Sequence, residues 1–406
     1  MDQSKTLSRR SFMGKTGQAV MAGAMIGSQN SISTGQALPS DRKIKIGVVG
    51  GGFGASFQWH KHPNCIVHAV SDLRSDRRDK LMKVYICDRS YESLEKLILD
   101  KDIEAVAVFT GAPDHVHHCV LAMKAGKHVI SAVPAATSLE DAQQLREIKE
   151  RTDRKYMMAE TSYYRSYAIA ARELFRQGKF GELFYSEVEY YHPFTTKLSN
   201  SLLFYKGKRT WRYGFPPMHY PTHSTGYVVG VTEERFTEVS CLGWSAPDKL
   251  DYLNRNNVYQ NPFSSQCALF KTDKGHICRC NVIWDGVAHG ERAQWFGTKM
   301  AFYMPGSGGQ PFRIQGRKAP KWKEVPSYWE RLPESLRHES GHGGSHTFIT
   351  HEFISALIED REPVVDVYES LAMTVPGIVA HKSALAGGEQ MKVPSFDRKA
   401  DSDRKT

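Results

Sequence analysis

The sequence predicts an α/β domain with a doubly wound parallel sheet, followed by an α+β domain with a mainly antiparallel sheet. From residue 41 to about 160, short apolar runs alternate with helical segments, which is typical of parallel strands joined by helices. Beyond about residue 180 the runs become long and rich in aromatic and β-branched residues. We therefore expect one domain at residues 41–160 and a second at residues 161–396.

The individual elements follow in chain order. Apolar runs in the first domain predict strands at 44–49, 66–71, 104–109, 127–132 and 155–159. Helices are expected at 115–125, which Gly126 ends, and at 139–150, which Ser138 and Asp141 cap. Longer strands are expected at 183–191, 236–244, 264–272, 276–284 and 291–304, with a hairpin turn at Asp273-Lys274-Gly275. Two amphipathic helices, 347–359 and 367–386, complete the second domain.

The first strand ends in a glycine-rich turn. Gly50, Gly52 and Ala55 have the Gly-x-Gly-x-x-Gly/Ala spacing, in which the first glycine bends the chain and the second lets the backbone approach a pyrophosphate. A helix after this turn would offer free N–H groups to phosphate. The second strand ends in Asp72, where a carboxylate would accept hydrogen bonds from an adenosine ribose. Together these features predict a Rossmann domain that binds NAD. NADP is less favoured, although Arg74 lies close enough to Asp72 to leave it possible.

Composition and charge narrow the class of protein. The chain has 406 residues, of which 40% are hydrophobic, and this is enough for about two domains with separate cores. Its formal net charge is +10, but no basic run with interleaved aromatic residues indicates nucleic-acid binding. The seven cysteines are scattered without a Cys-x-x-Cys motif, so neither a disulfide framework nor a zinc site is predicted.

The N-terminus has the features of an export signal. Residues 8–15, Ser-Arg-Arg-Ser-Phe-Met-Gly-Lys, precede a short apolar segment and a small-residue site near Ala37. We interpret residues 1–37 as a twin-arginine signal peptide, too short and too glycine-rich to span a membrane. The mature protein is then expected in the periplasm or otherwise outside the cytoplasm. The charged residues 397–406 are expected to form a disordered tail.

Short motifs suggest a family. An N-terminal Rossmann domain joined to a C-terminal sheet domain, with Gly-Lys-His-Val-Ile at 126–130, resembles the Gfo/Idh/MocA oxidoreductases across residues 41–396. In the dehydrogenases of that family a Glu-Lys-Pro motif follows, whose lysine assists proton transfer. This chain has Ala132, Val133 and Pro134 there, which counts against ordinary dehydrogenase chemistry.

One branch is more similar still. The chain resembles family 109 of the glycoside hydrolases, typified by NAD-dependent α-N-acetylgalactosaminidases, most specifically in Tyr-Pro-Thr-His at 220–223 and Gly-His-Gly-Gly at 341–344. The resemblance implies a redox-neutral reaction in which C3 of a sugar is transiently oxidised, the C1 substituent is eliminated and water is added. Three positions depart from the family: Thr161 replaces an asparagine, His346 replaces an aspartate, and His289 lies near an expected tyrosine.

The resemblance also implies site residues. His223 and Tyr220 would be catalytic, although a backbone-bonded histidine and a packed tyrosine are the structural alternatives. The implied substrate contacts are Tyr164, Tyr190, His289 and His342, with sheet packing as the rival role for the tyrosines. The expected cofactor contacts are Gly50, Gly52, Phe53, Gly54, Asp72, Thr110, His115, Val133, Thr161, Trp211 and Arg212. No metal is expected at His338, His342, His346 and His351, because the intervening glycines break the helix that would align them.

Three functions remain open on the sequence. They are a redox-neutral NAD-dependent glycosidase, a sugar oxidoreductase with tightly held cofactor, and a non-catalytic sugar-binding relative. The missing lysine and an exported location without free NAD favour the first. A carbohydrate is the expected small-molecule partner, and a homo-oligomer is expected because the open sheet face in this family often packs against another subunit.

Overall fold

The first domain contains a six-stranded parallel sheet, as the sequence predicts. A computed structural model describes residues 41–193, 202–245, 257–286, 288–306 and 309–398. The strands have the order β3-β2-β1-β4-β5-β6, which reverses beside β1 and opens a crevice at the carboxyl ends of β1 and β4. The strands are β1 Ile44–Val49, β2 Cys65–Ser71, β3 Ser90–Tyr91, β4 Ala105–Val108, β5 His128–Ser131 and β6 Tyr156–Met158.

The helices of this domain begin and end where local chemistry dictates. Ser138 Oγ accepts the Asp141 N–H at 3.0 Å, and Gly126 adopts φ +79° after a helix end. The edge strand β3 was not predicted, because two half-exposed residues carry no apolar pattern. The helices are α1 Ser75–Tyr85, α2 Leu94–Leu97, α3 His115–Lys124 and α4 Leu139–Thr152.

The prediction of a helix directly after the glycine-rich turn is wrong. The chain forms two short 3₁₀ turns there, Phe53–Ser56 and Trp59–Lys61, before β2 begins. Aromatic side chains occupy the space a helix would fill: Phe57 and Trp59 are fully buried, and Phe57 stacks on Phe109 with ring centroids 4.5 Å apart. Packing of these rings therefore replaces helix-on-sheet packing at this position.

The second domain contains an eight-stranded mixed sheet, mostly antiparallel as predicted. Its strand order is β15-β14-β13-β7-β12-β11-β10-β16, with β7 and β12 as its parallel pair. The predicted strand 291–304 is in fact a hairpin, because Thr298 and Lys299 turn the chain between β13 and β14. The strands are β7 Leu183–Tyr191, β10 Phe236–Trp244, β11 Ser265–Thr272, β12 Ile277–Ile283, β13 Gly290–Gly297, β14 Met300–Tyr303, β15 Arg313–Gly316 and β16 Met391–Lys392.

Buried helices join the two sheets. The helices are α5 Ser166–Arg176, α6 Thr222–Thr232, α7 Ser345–Ile358 and α8 Val367–Leu385. Every residue of α6 is buried, so this helix is a core element between sheet and helix layers. Thr225 Oγ1 donates to the Met373 carbonyl of α8 at 2.6 Å, and Asp366 caps α8 by accepting the N–H groups of Tyr368 and Glu369. Among the described helices, none has the length and apolar character needed to cross a bilayer.

One segment of the second domain lies across the first. We call residues 202–213 the strap; it contains the hairpin of β8 Phe204–Tyr205 and β9 Lys208–Arg209. The Tyr205 ring lies 3.8 Å from the guanidinium carbon of Arg74, which follows β2. Trp211 packs on Gly111, after β4, so closely that a Cβ there would lie 2.7 Å from Trp211 Cδ1. The strap therefore contacts the crevice edge at two strand ends.

Ion pairs hold the last described residues of the chain. Asp397, the first residue of the predicted tail, accepts a hydrogen bond from Arg235 Nε at 2.7 Å, and Arg398 Nη2 lies 3.4 Å from Asp366 Oδ2. These two residues are thus held by ion pairs, contrary to the predicted disorder. Residues 399–406 and the predicted signal peptide, residues 1–37, lie outside the described residues.

Candidate active site

The glycine-rich turn has the form of a phosphate cradle. Gly50 has φ +100°, and a Cβ there would lie 2.1 Å from the Phe109 carbonyl oxygen, so only glycine fits. At Gly52 a Cβ would meet nothing nearer than 3.7 Å, where the Arg77 guanidinium lies. The face of Gly52 is therefore open and lined by a cation, which suits a pyrophosphate.

Asp72 occupies the predicted position at the end of β2. Its carboxylate accepts the Gly51 N–H at 2.7 Å and the Arg74 N–H at 2.9 Å, so it also holds the glycine-rich turn in place. Arg77 Nη1 lies 4.0 Å away. An open glycine turn followed by a carboxylate on the neighbouring strand fits a dinucleotide with a free ribose diol.

Several other predicted cofactor residues have structural roles. His115 is buried with Nδ1 2.8 Å from the Pro134 carbonyl and Nε2 3.2 Å from that of Thr110, so it braces two loops. Thr110 Oγ1 lies 3.0 Å from His118 Nδ1. Gly54 is buried, and a Cβ there would lie 2.9 Å from the Phe109 ring. Val133 is buried as well. It follows β5, at the position where the dehydrogenases of the family have lysine.

The two predicted catalytic residues lie together at the start of α6. The His223 ring centroid is 5.3 Å from that of Tyr220 and 4.6 Å from that of Tyr190 on β7. The Arg212 guanidinium carbon is 4.3 Å from the Trp211 ring and 5.9 Å from that of Tyr220, and no described carboxylate lies within ion-pair distance of it. The structure therefore brings these predicted residues into one aromatic pocket.

A carboxylate orients His223. Glu160 Oε1 lies 2.9 Å from His223 Nδ1 and also accepts the Ser162 N–H at 2.8 Å, while Thr161 Oγ1 is 3.5 Å from the same Nδ1. Because the carboxylate accepts, Nδ1 carries a proton and Nε2 remains for a reacting group. Burial disfavours charge on His223, but Glu160 outweighs it and raises the histidine pKa above its ordinary value. Burial would raise the pKa of Glu160, yet His223 brings it below the usual range.

The phenol of Tyr220 is harder to ionise than that of an exposed tyrosine. Burial raises its pKa above the usual value, and the nearby Arg212 offsets only part of that rise. Burial also raises the pKa of Tyr190 far above its usual range. Both phenols therefore remain protonated near neutral pH, and each is able to donate a hydrogen bond.

A second buried carboxylate, on β13, lies behind His223. Glu291 Oε1 accepts from Ser162 Oγ at 2.6 Å, Tyr227 hydroxyl at 2.6 Å and Arg165 Nε at 3.0 Å. Burial opposes ionisation, but Arg165 and His223 lower the pKa of Glu291 to about 2. This buried ion pair therefore fixes the floor of the pocket.

Histidines form the outer wall. The His289 ring centroid lies 5.5 Å from that of Tyr190 and 5.5 Å from that of His192, and His342 stacks 6.3 Å from His223. Tyr164, a predicted substrate contact, is not part of this pocket. It lies buried beside Tyr163 on a 3₁₀ turn, and none of the described rings of the pocket contacts it.

Sequence reasoning missed the supporting network. Glu160 follows β6 at the carboxyl edge of the parallel sheet, and that position is a usable signal for a site residue. Arg165 and Glu291 are separated by 126 residues, so no local pattern indicates their pairing. That the later histidines bind no metal stays a prediction.

Comparison with known proteins agrees with this geometry. Residues 44–160 match the family described as "Oxidoreductase family, NAD-binding Rossmann fold", and residues 311–401 match "Glycosyl hydrolase 109, C-terminal domain". These two matches support a branch of the Gfo/Idh/MocA oxidoreductases that resembles glycoside hydrolase family 109. A "Glycosyl hydrolase family 109 protein" from Solibacter usitatus is 24% identical over 96% of this chain and 97% of its own length. A protein of the same description from Shewanella amazonensis is 25% identical over 97% and 96%.

Solved structures of the Gfo/Idh/MocA fold show the same architecture. The WlbA dehydrogenase from Bordetella pertussis, in complex with NADH and UDP-GlcNAcA, superposes with a TM-score of 0.70 at 16% identity, covering 87% of this chain and 99% of that one. Levoglucosan dehydrogenase, in complex with NADH and levoglucosan, gives 0.70 at 16%, covering 87% and 100%. At this identity the likeness establishes the fold of the family-109-like chain and no more.

Proposed function

We propose that this chain is an NAD-dependent enzyme that hydrolyses a glycoside without net oxidation, by transient oxidation at C3 and elimination across C1 and C2. The observation that carries the proposal is the Glu160–His223 pair, 2.9 Å apart, beside Tyr190 and Tyr220 and next to the dinucleotide crevice. The relatives that bear the name glycosyl hydrolase family 109 support the same choice.

The residues of the crevice would hold the cofactor. Gly50 and Gly52 leave room for the pyrophosphate, and Asp72 would accept the ribose hydroxyls, which favours NAD over NADP because a 2′-phosphate would meet a carboxylate. A bound nicotinamide supplies a reversible hydride acceptor. Denaturing the purified protein and identifying the released dinucleotide tests this assignment, and release of NADP alone would contradict it.

Side chains of the protein would carry out the proton transfer. The His223 Nε2 lone pair is placed to take a proton from the sugar, and Glu160 stabilises the imidazolium that results. Tyr220 and Tyr190 remain protonated and donate hydrogen bonds to hydroxyl groups of the ring. Val133 stands where the dehydrogenases have lysine, so that particular base is missing beside His223.

The deciding experiment is turnover of glycosides in D₂O. Elimination followed by hydration places deuterium at C2 of the released sugar, because the abstracted proton exchanges with solvent. Direct displacement by two carboxylates leaves C2 unlabelled and would contradict the proposal. His223→Ala should keep its cofactor and thermal unfolding profile while kcat falls roughly 10²- to 10⁴-fold.

A sugar oxidoreductase with tightly held cofactor is the second candidate. The observation that favours it is the fold, shared with dehydrogenases whose structures contain NADH. Accumulation of an oxidised sugar in proportion to an added hydride acceptor would support it over hydrolysis. Failure to bind any dinucleotide would instead support a non-catalytic sugar-binding protein.

We also propose export by the twin-arginine route. Arg9 and Arg10 precede the apolar segment in the order such signals require. Replacing both by lysine should leave the full-length protein in the cytoplasmic fraction. Unchanged periplasmic recovery of the double variant would refute this route.

A further inference from the structure

The Gly-His-Gly-Gly loop places two histidines in a hydrogen-bonded series. His346 Nδ1 lies 3.2 Å from the Ser56 carbonyl oxygen, and His346 Nε2 lies 2.8 Å from His342 Nδ1. A carbonyl oxygen only accepts, so His346 Nδ1 carries the proton and its Nε2 has the lone pair. His342 Nδ1–H must then donate to that lone pair, which leaves His342 Nε2 unprotonated on the opposite side of its ring.

The ring of His346 is fixed in position by its packing. It stacks on Phe57 with centroids 4.5 Å apart and meets Phe53 edge-on at 5.4 Å. A Cβ on Gly341 would lie 2.3 Å from His346 Cε1, so the loop backbone closes over this ring. The tautomer of His346 is therefore set by a rigid neighbourhood.

The backbone at His342 is strained. His342 has φ +54°, followed by Gly343 at +64° and Gly344 at +90°, so a non-glycine residue occupies the left-handed region. Such conformations cluster at functional sites and persist where the surrounding structure holds them. The imidazole of His342 consequently faces His223, with Nε2 bonded to no described residue.

We infer that His346 is a positioning residue that fixes the tautomer of His342, so that His342 presents a lone pair to the pocket and binds a hydrogen-bond donor of the substrate. The ligand group at this position is a hydroxyl, and a carboxylate or sulfate is excluded because two lone pairs would face each other. The part concerning substrate rests on the proposed function, whereas the tautomer does not.

Burial keeps both rings neutral. Burial lowers the pKa of His342 to about 3 and that of His346 to about 4. The titratable groups facing His342 are His223, His346, Glu291 and Arg165, and only Glu291 opposes the fall. An aspartate at 346, as the family has, would instead favour a charged His342.

Variants at 346 separate these effects. His346→Gln keeps an acceptor for His342 and a donor for Ser56 without charge. His346→Glu is its isosteric partner and adds the carboxylate, and His346→Phe keeps the stack on Phe57 but removes both nitrogens. The surface change His117→Glu is the control for an added charge, because His117 is exposed on α3.

The measurement is long-range ¹H–¹⁵N correlation of the histidine rings in the whole protein, with His342→Gln identifying the signals. We expect the Nδ1-protonated tautomer of His342 in the native protein and in His346→Gln. In His346→Glu the His342 titration midpoint should move roughly one to three pH units higher, and His346→Phe should show both tautomers.

Two results would overturn the inference: an Nε2-protonated His342 in the native protein, or His346→Glu titrating like His346→Gln. If the glutamate variant does not fold, the native, glutamine and phenylalanine spectra still decide the tautomer. These spectra need no turnover, so they fail independently of the glycosidase proposal. For the substrate, a series of monodeoxy analogues tests the hydroxyl. One analogue should bind the native enzyme more weakly than the parent sugar does, but should bind His342→Phe no more weakly than the parent sugar does. If no analogue shows this pattern, the hydroxyl assignment is wrong.

Discussion

At the scale of single residues, the pocket is a set of buried charges held by their partners. His223 has Glu160 as partner and Arg165 has Glu291, and the two pairs share Ser162. Sequence reasoning placed Tyr220, Tyr190, His223, His289 and His342 together because the resemblance names them. It could not place the partners, because their contacts depend on how β6, β13 and α6 pack.

Glu160→Gln tests the orienting carboxylate. The pKa of His223 is raised by Glu160, so removing the charge should move the acidic limb of the kcat/KM profile to lower pH. We expect kcat to fall roughly 10- to 100-fold, as for other partners that orient a functional imidazole. Glu187→Gln, on the outer face of β7, is the control. An unmoved limb would show that Glu160 does not act on His223.

Glu291→Gln tests the buried ion pair. Its folded pKa of about 2 lies below an unfolded value of about 4.3, so its stabilisation is present above about pH 4.3 and is lost as the pH falls toward 2. Leaving Arg165 unpaired should lower the free energy of unfolding by about 3 to 5 kcal/mol at neutral pH. Chemical denaturation at several pH values measures this, and Asp76→Asn, which breaks an exposed pair, should change little. A pH-independent difference would contradict the assignment.

At the scale of elements, periodicity predicted most strands to within one or two residues. The strand at 291–304 failed because Gly297 must pack against the Phe180 carbonyl, where a Cβ would lie 2.3 Å away, and the chain turns there. The helix after Gly52 failed because tertiary packing of aromatic rings overrides the local pattern. Neither cause is visible within a short window of sequence.

The strap offers an element-scale prediction. Tyr205→Ala removes the ring that covers Arg74, and a cation–π contact is worth about 0.5 to 2 kcal/mol. Release of bound cofactor should therefore accelerate roughly two- to thirtyfold, measured by fluorescence of the reduced form after adding a competitor. Tyr205→Phe keeps the ring and should release near the native rate. Equal release from the alanine variant would mean that the strap does not hold the cofactor.

At the scale of the whole molecule, the second sheet has one covered and one open face. Residues alternate along β11: Gln266, Ala268 and Phe270 are buried, whereas Cys267 and Leu269 are exposed. No described element covers this outer face. The large apolar side chains exposed on its strands are Phe184, Leu242, Trp244, Leu269 and Ile277.

The predicted homo-oligomer is expected to form through this open face. An apolar surface of this kind in a soluble protein commonly marks a contact with another chain. Leu269→Lys should lower the mass in solution to that of a monomer, as measured by light scattering after size exclusion. Leu99→Lys changes an equally exposed leucine of the first domain and should leave the mass unaltered. An unchanged mass for Leu269→Lys would move the interface elsewhere.

The strap also affects the stage of folding at which the protein would bind its cofactor. Tyr205 and Trp211 come from the second domain and rest on strand ends of the first, over the groove that suits the dinucleotide. Contacts of this kind would slow the exchange of a bound dinucleotide once the two domains have packed, which favours binding before that stage. The fraction of cofactor-loaded molecules in a preparation would then depend on the cofactor concentration where the protein was made, and later dilution would not change that fraction.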